Sequence, residues 1–325
     1  MLTQPTINRL PASPSAPELL RRAWDFSPPL TALGISMTLV AVGGGLGMLL
    51  DPRQILGAPA WAKTTKFAVS MAIYAPTMIW LLSAVKRWPR AASLVANGSG
   101  AILLFEMALI ILQALRGQAI HYNVSTPFNA GLWYAMTATI MLLYLLQFVG
   151  LGLLLFTRQP SPTLTWGIRL GMAIMVIGLG QGFLMTGPNS AQMAQLTAGQ
   201  SVDYMGAHTV GAPDGGPGLP LTGWSSDHGD LRIGHFVGIH GLQAVPLLAL
   251  LLSRRREGWL SESHKLALVG VGAAGYLGLT GLVTWQALRD QPLLMPDSLT
   301  LGALGGLVAG AALLAGGIIA HARRR

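Results

Sequence analysis

The sequence predicts an all-α integral membrane protein, a polytopic bundle of about eight transmembrane helices with its N- and C-termini cytoplasmic. Three observations predict it. Hydrophobic residues make up 52% of the 325 positions, charged residues only 10%, and the mean hydropathy is +0.53, a composition suited to a bilayer rather than to a soluble core. The apolar residues gather into runs of about 20, the length that crosses a hydrocarbon layer of ~30 Å. Most of the 21 Lys and Arg residues fall in short clusters between or at the ends of those runs, where basic residues set topology.

The elements follow in chain order. Residues 1–29 are rich in Pro, Ser and Thr and carry Arg21, Arg22 and Trp24, so they read as a flexible cytoplasmic tail ending in an interfacial anchor. The first span is Leu30–Leu50. Ala58-Pro59-Ala60 resembles a signal-cleavage site, but an apolar run of 21 residues exceeds a signal h-region of roughly 7–15, so the helix is retained. Further spans fall near 65–86, 94–115, 131–156, 164–186, 231–252, 264–287 and 298–320. Residues 30–320 thus form one transmembrane domain with a long loop at 187–230, followed by a basic tail at 321–325. Alternating the sides puts 15 Lys and Arg with the termini and 6 opposite. The excess assigns the termini to the cytoplasm and the 187–230 loop to the outer side of an inner (plasma) membrane.

Within the spans, Gly43/Gly47, Gly167/Gly171, Gly178/Gly182, Gly234/Gly238, Gly302/Gly306 and Gly306/Gly310 are spaced four apart, a pattern that lets helices approach closely. No internal repeat separates two homologous halves, which weighs against the inverted-repeat transporters. In the loop, Asn189–Met205 suits an amphipathic surface helix, and the Gly- and Pro-dense remainder suits turns and extended chain.

Several chemistries fall away. The chain has no cysteine, which removes disulfides, thiolate metal sites and cysteine nucleophiles. Its net charge of +9 is distributed as topology clusters, not as a nucleic-acid face. Walker A, HExxH and GxSxG patterns are absent, and the GGGLG run follows no strand. Asp227, His228 and Asp230 are suitable ligands, but their spacing matches no defined metal site. Asp230 is also placed to cap the helix that follows and to pair with Arg232.

Polar side chains inside the spans carry the functional reading, because ionisable groups at bilayer depth are expensive. Counted from the loop-side helix ends, His240, Glu106 and Tyr74 each lie ~13–14 Å deep. On the second span Lys66, Ser70, Tyr74 and Thr77 recur with helical spacing and form one polar stripe. Glu106 and Gln113 nearly superpose in projection, with Arg116, His121, Tyr122 and Asn123 at the rim; Gln243 shares a face with His240. Gln181 lies shallower on the fifth span.

These residues sketch a cleft open to the outside. Glu106 and His240 are its protonatable pair, and Tyr74, Gln113, Asn123 and Gln243 orient a small polar or anionic solute. Lys66, Arg116, His121 and Arg232 supply charge or contacts at the entrance, and the glycine-rich loop serves as a lid. A second reading holds haem b or a quinone, with His240 and a rim histidine, His235 or His121, as candidate axial ligands. His235 and His240 are turned ~140° apart on an ideal helix, so they do not serve one ion from one face. A third reading is an accessory subunit that docks other membrane subunits through the glycine faces of the last two spans. The partners expected are the lipid bilayer, the solute and such subunits, and no nucleic acid.

Overall fold

Proline marks the start of four spans. Pro28, Pro89, Pro127 and Pro162 each occupy the first helical turn, where the missing N–H costs nothing and the fixed φ already suits a helix. Ser27, Thr126 and Ser161 precede three of them and accept from Leu30 N, Asn129 N and Leu164 N at 3.3, 3.2 and 3.1 Å, satisfying amides that the first turn leaves orphaned. Helices therefore begin outside the apolar run. The span expected at 94–115 starts at Pro89 and the one expected at 131–156 starts at Pro127.

The structure, a computed structural model, describes residues 14–255 and 257–324. The expected tail of 1–29 overlaps this range from Pro14, and its first 13 residues lie outside the described residues. A short helix, α1 (Ala16–Phe26), leads into α2 (Pro28–Leu50), α3 (Ala62–Ser83), α4 (Pro89–Leu115), α5 (Pro127–Leu155) and α6 (Pro162–Gly180). A 3-10 turn (Gln181–Met185) extends α6, and α7 (Ser190–Thr197) lies within the loop. After it come α8 (Leu231–Ile239), α9 (Gly241–Arg254), α10 (Glu262–Leu288) and α11 (Ser298–Arg323). Among the described residues, eight helices are long and apolar enough to cross a membrane, α6 with its 3-10 turn and α8–α9 each counting as one.

Apart from this bundle, two short antiparallel pairs occur among the described residues, β1 (Gln54–Ile55) with β2 (Ala58–Pro59) and β3 (Thr209–Val210) with β4 (Gly229–Asp230). The chain is an all-α polytopic bundle. Helix α2 packs on α3 and α4, α4 on α5, and α5 on α6; α6 then meets α8, α9 and α10, and α11 lies against α10. The core is aliphatic and methionine-rich, with Leu30, Leu33, Met78, Leu82, Met107, Met136, Met172, Met175 and Leu242 fully buried.

Helix α1 replaces part of the expected tail. Its Leu19, Leu20 and Trp24 are exposed beside Arg21 and Arg22, a pattern for the membrane surface. In the long loop, α7 is shorter than the expected Asn189–Met205 helix. Asn189 and Gln192 form a capping box at its start, while Gly199, at φ +73°, takes the left-handed turn that ends it.

From there the loop folds back over one end of the bundle as a cap. Met205 N bonds Tyr122 O at 2.8 Å, Ala207 N bonds Met185 O at 3.1 Å, and Leu231 N bonds His208 O at 2.9 Å. Gly206 sits at φ +127°, pressed against Met185 O and the Tyr122 ring, so both its conformation and its space exclude a side chain.

Where α6 crosses α8, a Cβ on Gly178 would overlap the Gly238 backbone, whereas a Cβ on Gly306 would meet nothing within 4 Å. Gly178→Val is expected to cost roughly 1–3 kcal/mol through overpacking and to lower the melting temperature of the detergent-purified protein. Gly306→Val serves as the comparison and should melt within a degree or two of wild type.

Candidate functional site

Three successive turns of α3 each send a polar side chain to a different part of the molecule. Lys66 donates to Thr222 O of the cap. One turn deeper, Ser70 Oγ lies 3.3 Å from His240 Nε2 at the α8–α9 junction. A further turn down, Tyr74 OH donates to Gln147 Oε1 of α5 at 3.2 Å, and Gln147 Nε2 donates to Ser99 Oγ of α4 at 3.0 Å. With a rise of 1.5 Å per residue this ladder runs ~12 Å from Lys66 to Tyr74. The stripe stops there, since Thr77 bonds its own helix at Ile73 O.

The junction at His240 follows from local sequence. Pro246 lacks the amide that would bond Leu242 O, and the His240 N to Phe236 O bond is stretched to 3.3 Å. His240 Nδ1 lies 3.2 Å from Gln243 Oε1, an acceptor, so Nδ1 carries the proton and Nε2 accepts from Ser70. The ring also packs on Phe236 at 4.4 Å, and Phe236 on Trp224 of the cap at 5.6 Å between centroids. An aromatic column thus connects cap and junction.

Glu106 is 2% exposed, and its hydrogen bond comes from Thr139 of α5. Thr139 has one hydrogen and also lies 3.0 Å from Ala135 O. As a carboxylate, Glu106 accepts that hydrogen; as an acid it donates to Oγ1 while Thr139 turns to its own helix. Among the described residues, no hydrogen bond joins Glu106 to His240. Similar depth along their helices has not made them a contact pair.

The rim residues are spent on the α4–α5 turn. Gln113 Nε2 bonds Asn129 Oδ1 at 3.1 Å and Ala119 O at 3.2 Å, while Arg116 bonds Gln113 and Asn129. Asn123 is fully buried, donates to Ala119 O at 2.9 Å and accepts from Ser125. Arg232 pairs bidentately with Asp230 at 2.5–3.1 Å and donates to Gly223 O at 2.7 Å. Asp230 also caps α8 through Arg232 N at 3.0 Å. Asp227 accepts from Ser226 and His228 reaches Asp290 at 2.9 Å, so these three loop residues do not converge on one point.

What sequence spacing did not single out is a basic cluster beneath the cap. His121 packs among Phe67, Tyr122 and Trp133 with ring centroids 5.8–5.9 Å away, and its Nδ1 is buried without a partner. Burial, with the positive charge of Lys63 next, holds its pKa well below the ordinary histidine range. His208 Nδ1 donates to Asp214 at 2.9 Å. Burial alone would raise the Asp214 pKa, but the bond from His208 and the Thr209 amide outweigh it and lower it to about 2. His235 Nδ1 donates to Gly178 O at 2.7 Å, which leaves Nε2 as its lone-pair nitrogen.

For haem ligation, His235 presents one unprotonated nitrogen, while both nitrogens of His240 are already engaged. No group of three His, Cys, Asp or Glu side chains converges to hold a metal ion among the described residues. Comparison of the chain with protein-family models, with curated proteins and with solved structures found no match.

Because the folded state keeps His121 and His208 from charging, the unfolded chain gains protons first as pH falls through 6.5, the unshifted histidine value, and stability falls with it. The melting temperature should therefore drop between pH 7 and pH 5, and His121→Phe should flatten that slope; an equally steep slope in the variant contradicts the assignment.

Proposed function

We propose that this multispan membrane protein binds a small polar or anionic solute at the capped end of the bundle and links that binding to proton movement along α3. The observation that supports the reading is the polar ladder of Lys66, Ser70 and Tyr74. Polar groups within a hydrocarbon span need partners inside the protein, and they mark solute or proton paths. Here they run from the cap toward the middle of the bundle.

In this reading Lys66 and Arg232 hold the cap through loop carbonyls, and releasing those bonds opens the site to the outer side. His240 exchanges protons through Ser70 and Gln243, and Tyr74 extends the path through Gln147 and Ser99. Glu106, with a hydroxyl partner that serves either protonation state, is a second proton-accepting position. The positive-inside excess supports a cap on the outer side of an inner membrane.

The haem reading is supported by the oriented ring of His235 alone; purified protein that shows a Soret band lost in His235→Ala would favour it. For the leading reading, proteoliposomes carrying a pH-sensitive dye should show proton flux above empty vesicles under an imposed membrane potential. His240→Ala should reduce the flux tenfold or more and Glu106→Gln by less. Flux equal to that of empty vesicles overturns the proposal.

A further inference from the structure

Among the described residues, the two lysines beneath the cap, Lys63 and Lys66, form no ion pair, and the acids near them are already committed. Asp230 carries the Arg232 guanidinium and accepts from Ser225 N at 2.8 Å. Asp214 accepts from the His208 ring at 2.9 Å and from the amides of His208 and Thr209 at 2.9–3.3 Å. Lys66 has one carbonyl, Thr222 O. Lys63 has neither a hydrogen bond nor an ion pair among the described residues, although the charges of Arg232, Lys66 and Asp214 reach it.

A half-buried ammonium without a counter-ion is costly, and a second one beside it raises the cost. Its neighbour His121, one turn along from Lys63 by way of the Phe67 ring, brings the unpartnered Nδ1 to the same region. His121 supplies a donor in its Nδ1–H tautomer. The two lysines repel a divalent cation from the same histidine, so the complementary ligand is negative.

We propose that Lys63, Lys66 and His121, between α3, the α4–α5 turn and the cap, form a binding site for a small soluble oxyanion bearing a carboxylate or phosphate group. The proposal rests on the solute-binding reading above and names its ligand class. Two ammonium groups and a ring N–H match the acceptor oxygens of such a group. The cap, tied across the site by Lys66 to Thr222 and Arg232 to Gly223, selects a free anion over a lipid headgroup held in the bilayer.

The test is thermal stabilisation of the detergent-purified full chain by inorganic phosphate or acetate, read against chloride at matched ionic strength. Wild type should be stabilised saturably by at least one of the two. Lys63→Met and His121→Phe should each weaken the apparent affinity tenfold or more, Lys63→Arg should retain most of it, and Lys86→Met at the far end should leave it unchanged. If Lys63→Met does not fold, His121→Phe and Lys63→Arg still decide. Absence of stabilisation in wild type, equal affinity in His121→Phe, or stabilisation by a soluble anionic phospholipid with none by phosphate or acetate overturns the proposal. Anion binding without proton flux would retain this site and reject the proton-linked reading; flux without anion binding would do the reverse.

Discussion

The capped end of the molecule depends on the hydrogen bonds that α3 makes through Lys66, Ser70 and Tyr74. Inside a hydrocarbon layer there is no water to satisfy a hydroxyl or ammonium group, so each must find a protein partner. One stripe on one helix therefore ties together the cap, the α8–α9 junction and α5. The helix is interrupted at His240, between α8 and α9, where the missing amide of Pro246 weakens the hydrogen-bond ladder.

The cap is a built structure despite its glycine content. Its backbone is held by β3–β4, by bridges from Asn123 to Tyr204 and from Gly218 to Ser225, and by Asp214 gathering two amides and a histidine. Charged side chains bond it to helix ends, and the Trp224–Phe236–His240 column packs it onto α8.

Much of the fold was legible in the sequence, since hydropathy needs only local composition. Helix starts were less so: Pro89 and Pro127 begin their helices ahead of the apolar run because caps and proline, not hydropathy, fix the first turn. The α3 stripe was visible as a period. Depth along an axis was a weaker guide, because it carries no azimuth; Glu106 and His240 share depth yet bond Thr139 and Ser70. Gln113, Arg116 and Asn123 were legible as polar but not as turn-forming. The pairing of His208 with Asp214, and the isolation of Lys63, arise only when the loop folds back on α3 and leave no periodic trace.

A cap that closes over the basic cluster of Lys63, Lys66 and His121 must be ordered. Hydrogen exchange of the purified protein tests that order most directly. Slow exchange is expected for the amides of Met205, Ala207, Thr209, Ser225 and Leu231, each of which is hydrogen-bonded across the cap. Exchange of these amides at the rate of an unstructured peptide would contradict it.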